Sequence, residues 1–141
     1  MMQFYSDMVK NADGGELFKK NLFKIIELSK TISHITYAAS NAVTILNAAQ
    51  ISFVKQLWDG IRIPEANLFK EFLHNTDLRG ANLSGVNFTS AYLKNCNFEE
   101  AVMKDVQFGV FPDLKCGDKV YCVVMSKKGN LLACGCGNGE V

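Results

Sequence analysis

The sequence predicts a stacked-repeat fold, mainly β, entered through α-helices. Three observations carry that expectation: large apolar residues recur at every fifth position from Phe53 to Phe108, the residues before them follow a helical stripe, and residues 119–141 read as two short strands.

The first 13 residues are polar, lack a sustained period and run into Gly14-Gly15, so 1–13 are expected as a flexible lead-in. From Leu17 onward, Phe18, Leu22, Ile25, Ile26, Leu28 and Ile32 line one side of a helix, with Lys19, Lys20, Lys24 and Lys30 on the solvated side. Ser33 is expected to cap a second, Ala-rich helix whose buried side is Ile35, Ala38, Ala39, Ala42, Ile45, Leu46 and Ala49. These helices, residues 14–50, are expected to cover the open N-terminal end of the repeats, because an uncovered stack exposes both apolar interior and unpaired backbone groups.

A period of five matches neither a strand nor a helix, so the repeat is identified before any element is assigned. Phe53, Trp58, Ile63, Leu68, Leu73, Leu78, Leu83, Phe88, Leu93, Phe98, Met103 and Phe108 are all large and apolar. Leu, Ile, Phe, Met and Trp make up 37 of 141 residues. Such a run arises by chance on the order of once in ten million trials before the phase is chosen. Two positions earlier, small or β-branched residues stand at Ala81, Val86, Ala91, Cys96, Ala101 and Val106, while Gln56 and Glu71 break that series. Burying those two without partners costs a few kcal/mol, so they predict irregular first coils or hydrogen bonds at a corner.

The phrases Ala66-Asn67-Leu68, Thr76-Asp77-Leu78, Ala81-Asn82-Leu83, Val86-Asn87-Phe88 and Cys96-Asn97-Phe98 resemble the pentapeptide-repeat family over residues 51–110. The resemblance implies a right-handed quadrilateral parallel β-helix, four five-residue sides to a coil, hence about three coils here. Residues twenty apart then stack, giving inner columns such as Leu68/Phe88/Phe108. It also gives an outer column of alternating charge, Asp59/Arg79/Glu99, and an amide ladder, Asn67/Asn87/Gln107.

Residues 111–118, with Phe111-Pro112-Asp113, read as a turn or linker. The segment 119–141 pairs a Val-rich run, Val120-Tyr121-Cys122-Val123-Val124, with Leu131-Leu132-Ala133-Cys134-Gly135 around a Gly-containing turn. It is similar to the start of a WD repeat, ending before any Trp-Asp, and implies an incomplete β-hairpin of one blade. The order of helical pair, repeats and half blade resembles the junction in NACHT ATPase, pentapeptide-repeat and WD-repeat proteins. Ile25-Ile26-Glu27-Leu28-Ser29-Lys30 and Ala38-Ala39-Ser40-Asn41-Ala42 support that likeness. No phosphate-binding Gly-x-x-x-x-Gly-Lys motif occurs, so ATPase activity is not carried over. The chain is expected to be a fragment or truncated member of such a protein.

Chemistry-bearing constellations are sparse. Ser33-His34 reads as a helix start before it reads as a hydrolase pair, since sequence neighbours rarely align for proton transfer. Cys116, Cys122, Cys134 and Cys136 lack the paired C-x2-C knuckles of structural zinc sites. Gly135, Gly137 and Gly139 precede no helix that would present amides to phosphate. No catalytic residue, cofactor, metal or small-molecule substrate is expected. Five cysteines without an apolar leader, and no uninterrupted apolar span, predict a cytoplasmic chain with no membrane partner.

A net charge of +1 excludes a strongly basic nucleic-acid surface. Residues 51–110 carry seven acidic and six basic side chains, too nearly neutral for the alternative of a DNA mimic acting on a topoisomerase. The favoured role is a non-catalytic scaffold, a rigid spacer with a protein-binding face. Its candidate residues are Phe72 and Tyr92, which occupy outward positions that the family gives to Asp or Asn, with Phe69 beside them. Their partner is expected to be protein, either an outside chain or this chain's own helices or C-terminal hairpin folded over them.

Overall fold

The computed structural model describes residues 2–10, 14–109, 118–127 and 132–139. They fall into two compact units, Met1–Val110 and Phe111–Val141.

The first unit opens with helix α1 (Met2–Lys10) where a flexible lead-in was expected. Two tertiary contacts hold it: Ser6 is buried with its hydroxyl donating to the Ala48 carbonyl at 3.0 Å, and Val9 is buried beside the next helix. Gly15, at the start of α2 (Gly15–Leu28), makes that approach feasible, because a Cβ there would lie 2.6 Å from the Val9 carbonyl oxygen. Helix α2 ends earlier than its apolar stripe suggests. The Ser29 hydroxyl donates to the Ile26 carbonyl at 2.6 Å and Ile32 turns to extended backbone. Ser33 then opens a short 3-10 turn, Ser33–Ile35, without a side-chain capping bond; its carbonyl accepts from the Thr36 hydroxyl. In α3 (Thr36–Ala48) the buried side is Ala39, Ser40, Ala42, Val43 and Leu46, so Ala38 is exposed and Val43 takes its place.

Beyond α3 the chain repeats one pattern: a bridging residue, then a turn. Every fifth residue from Gln50 to Asp105 has φ between 57° and 69°. This left-handed corner leaves room for only a single bridging residue per side. Parallel bridges join residues twenty apart, from Leu57 to Asp77, Arg62 to Asn82 and onward to Asn87 with Gln107. Among the described residues no extended parallel strands form, so the sheet expected of a parallel β-helix is reduced to columns of single-residue bridges. Between levels the hydrogen bonds run both ways: Trp58 N–H donates to the Asp77 carbonyl at 2.8 Å, and Asp77 N–H donates to the Gln56 carbonyl at 2.9 Å.

The Asn or Asp of each repeat has a local duty. The side-chain oxygens of Asn67, Asp77, Asn82, Asn87 and Asn97 each accept from the backbone N–H two residues on, at 2.9–3.2 Å, securing the turn. The inner column residues from Phe53 to Phe88 are fully buried. Leu93, Phe98 and Met103 are only partly buried, and Phe108, expected inside, is 51% exposed.

Two outer columns depart from expectation. Arg79 forks onto Asp77 at 2.6 Å, two residues before it, and Asp59 is met by Lys30 at 3.4 Å, so the direct ion pairs go outside the charged column, while Asp59 and Glu99 still act on Arg79 through space. Asn87 donates its amide to Asn67 at 3.4 Å, and a second amide pair, Asn95 to Asn75 at 3.2 Å, forms at another corner.

The second unit contains strands β1 (Val120–Met125) and β2 (Leu132–Cys136), paired antiparallel with an irregularity between Val120 and Cys122. The turn between the strands and most of the expected linker 111–118 lie outside the described residues.

Candidate functional site

Phe72 and Tyr92 form one of the parallel bridges, so their side chains leave the same outer column one coil apart. Their ring centroids are 6.0 Å apart at 44°, and the His74 ring meets Tyr92 edge-on at 6.0 Å. Phe72 is 57% exposed and Tyr92 52% exposed; Phe69, around the corner, is 41% exposed with the Lys70 ammonium 5.0 Å from its ring centroid. The helices do not cover the pair.

They reach the adjoining side of the stack instead. Thr44 accepts from Asn67 N–H at 3.0 Å, and the Asn47 amide donates to the Asn67 and Phe69 carbonyls at 3.0 and 3.3 Å. Between the end of α3 and the aromatic residues lies an open groove of about 610 Å³, lined by Asn47, Gln50, Ser52, Phe69, Lys70 and Phe72 among others. Thr44 and Asn47 were not singled out in the sequence. Their only signal there was polarity at helical spacing on an otherwise Ala-rich segment.

An aromatic residue at this position forgoes the turn-securing bond that Asn or Asp makes. Leu57 and Val102 forgo it too, yet each shares its column with polar residues: Leu57 with Asp77, Val102 with Asn82. Phe72 and Tyr92 are adjacent, and together they make a continuous apolar strip.

Glu71 sits just inside the strip, 5% exposed. One carboxylate oxygen accepts from the Phe72 N–H at 2.9 Å, and the corners on either side stay regular, so the irregular first coil expected from this residue does not form. Burial raises its carboxyl above the ordinary value, and hydrogen bonds from the Phe72 and Phe53 amides work against that rise. Thr76, the next departure from small apolar residues, donates to the Phe53 carbonyl at 2.6 Å. Gln56 donates to the Val54 carbonyl at 3.4 Å. All three polar residues bond backbone at the start of the coil.

The other sequence candidates are drawn into structure. Ser33 and His34 lie exposed on the 3-10 turn. The Cys96 thiol, raised by burial, donates to the Leu73 carbonyl at 3.0 Å. Gly135 faces Cys122 so closely that a Cβ would lie 2.8 Å from its sulfur, and one at Gly137 would lie 2.9 Å from Asp118. Among the described residues no three His, Cys, Asp or Glu side chains gather as metal ligands; Cys116 lies outside them. No helix among them is long and apolar enough to cross a membrane.

Comparison with known proteins agrees with the five-residue period. The family described as pentapeptide repeats matches residues 73–108 in eight copies. No curated protein and no solved structure matches the chain. The family match begins after Gln56 and Glu71, whereas the left-handed corners start at Gln50. Pentapeptide repeats imply a β-helix and a repeat protein suited to protein interaction.

Proposed function

We propose that the chain is a non-catalytic protein-interaction module whose binding face is the strip of Phe72 and Tyr92 with Phe69 beside it. The observation that carries this reading is the vertical adjacency of two exposed aromatic rings at positions where Asn or Asp would have secured the turn. Aromatic side chains supply large contact area at small entropy cost, and contiguous apolar exposure on a polar surface marks interaction sites.

The finer reading is that the repeats form a right-handed quadrilateral β-helix acting as a rigid spacer. In it, a helical segment lies on one side and the beginning of a WD propeller on the other, within a longer cytoplasmic protein. The order of segments along the chain supports it. So does the interior of the stack, filled with apolar side chains and holding no cluster of titratable groups.

The test is the double substitution Phe72→Asn and Tyr92→Asn, which restores turn-forming residues. The variant is expected to keep the thermal stability of the parent and to lose the partners captured by proximity labelling in the native cell. An unchanged set of captured proteins would remove the strip from the binding face.

A further inference from the structure

We infer that the aromatic strip binds an acidic protein segment carrying an apolar side chain; this deepens the interaction reading above and rests on it. The near-neutral charge of the repeats conceals a division between sides of the coil. The side built from 51–55, 71–75 and 91–95 exposes Lys55 and Lys94, and Lys70 stands at its corner. Backbone bonds fix these places: Lys55 N–H donates to the His74 carbonyl, Asn75 N–H to the Lys94 carbonyl, and Lys70 N–H to the Thr89 carbonyl. The one carboxylate on that side, Glu71, is buried and turned to backbone. The next side, 56–60, 76–80 and 96–100, carries Asp59, Asp77, Glu99 and Glu100 against the single cation Arg79.

The two sides also differ in how their charges are met. Asp77 is held by Arg79 and Asp59 by Lys30, but none of the ion pairs among the described residues involves Lys55, Lys70 or Lys94. Three exposed ammonium groups around a pair of exposed rings, Lys70's lying over the Phe69 ring, make a surface that is apolar at its centre and cationic at its rim. An interface favours that arrangement: the centre excludes water, while rim charges steer an oppositely charged partner and reject a like-charged one. The groove beside Phe69 and Phe72, with Asn47, Gln50 and Ser52 along its wall, offers hydrogen-bonding groups to a peptide backbone.

Single-stranded nucleic acid would also be drawn to lysines and rings. The surface fits it less well, because the chain's net charge is only +1, this side carries no arginine, and Tyr92 packs against both Phe72 and His74 instead of standing apart to receive bases.

The experiment measures fluorescence anisotropy of three labelled probes with the full chain: a peptide alternating Glu with Leu and Phe, its counterpart with Lys for Glu, and an oligo-dT strand. The acidic peptide is expected to bind at least about tenfold more tightly than the basic one, and added salt to weaken it. Lys70→Glu with Lys94→Glu, both exposed and expected to leave the melting curve unchanged, should weaken it about tenfold or more. Equal affinity for the two peptides, no effect of charge reversal, or no binding of the acidic peptide would overturn the acidic assignment. If the Phe72→Asn and Tyr92→Asn variant still loses its captured partners, the interaction reading survives that result. Tighter binding of oligo-dT than of the acidic peptide would replace the protein segment with nucleic acid.

Discussion

The two ends of the coil stack are built from the same repeat yet finish differently. At the N-terminal end, backbone groups of the first coil that would pair with a coil below meet side chains of α3 or of the turn after α2. The Leu57 carbonyl accepts from Lys30 at 2.8 Å, Arg62 N–H donates to the Ser29 hydroxyl at 3.0 Å, and Asn67 N–H and carbonyl meet Thr44 and Asn47. Phe23 meets Phe53 edge-on at 6.1 Å, closing the apolar interior. At the other end the inner column opens by degrees until Phe108 is half exposed. A repeat coil thus owes its burial to what is stacked on it. The helices imitate a coil at one end by placing single polar side chains where its backbone would have been.

The severest way to break the comparison is to delete residues 1–49. The remaining chain is expected to aggregate on size-exclusion chromatography, since both the first-coil backbone groups and Phe53 would face water. A soluble, monomeric, folded product would show that the helices are dispensable as a cap.

A sharper comparison uses one column. Phe88 and Phe108 stack with ring centroids 5.9 Å apart and planes 14° apart, but only Phe88 is buried. Phe88→Ala is expected to cost about 3–5 kcal/mol in denaturant unfolding. Phe108→Ala is expected to cost under about 1 kcal/mol, as a half-exposed side chain. Equal costs would mean that the column is closed at both ends.

Ser29→Ala and Thr44→Ala test the imitation itself. Each removes a side-chain acceptor from a first-coil amide, at about 1–2 kcal/mol, and the same change at the exposed Ser90 should be within about 0.5 kcal/mol.

The smallest expected effect concerns Glu71. Its carboxyl is raised above the ordinary value of 4.5, so its ionisation opposes folding. Stability associated with the protonated form is full below the unfolded value and is lost as pH rises through the folded one. Glu71→Gln keeps an oxygen for the Phe72 amide and cannot ionise, so its melting temperature is expected to fall less than that of the parent between acidic and neutral pH. Parallel pH profiles would show that Glu71 does not titrate differently on folding.

The difference between the ends also marks where sequence reading reached. The column from Phe53 to Phe88 was legible because a fixed period projects directly onto burial; of the two outcomes expected from Gln56 and Glu71, the backbone hydrogen bonds form, whereas the irregular first coil does not, since the corners are regular from Gln50 onward. The family match starts at residue 73, beyond both Gln56 and Glu71. Helix α1 was not legible, since it is held by Ser6 on the Ala48 carbonyl and by Val9, contacts that no local pattern announces. For the candidate site, the placement of Phe72 above Ser52 and below Tyr92 followed from counting by twenty. The groove beside it did not, because it depends on where the last turn of α3 meets the stack.

What the sequence by itself determined is the repeat: five-residue spacing sets which side chains enter the stack and which residues become vertical neighbours, because each left-handed corner returns the chain to the same geometry. What only the tertiary structure decided is how that repeat ends and which of its outer columns remains open. Those depend on side chains from α3 and from the turn after α2, Ser29, Lys30, Thr44 and Asn47, finding unpaired backbone groups on three sides of the first coil and leaving Phe72 and Tyr92 exposed on the remaining one. A period specifies neighbours within the stack, whereas capping is a contact between segments with no period in common.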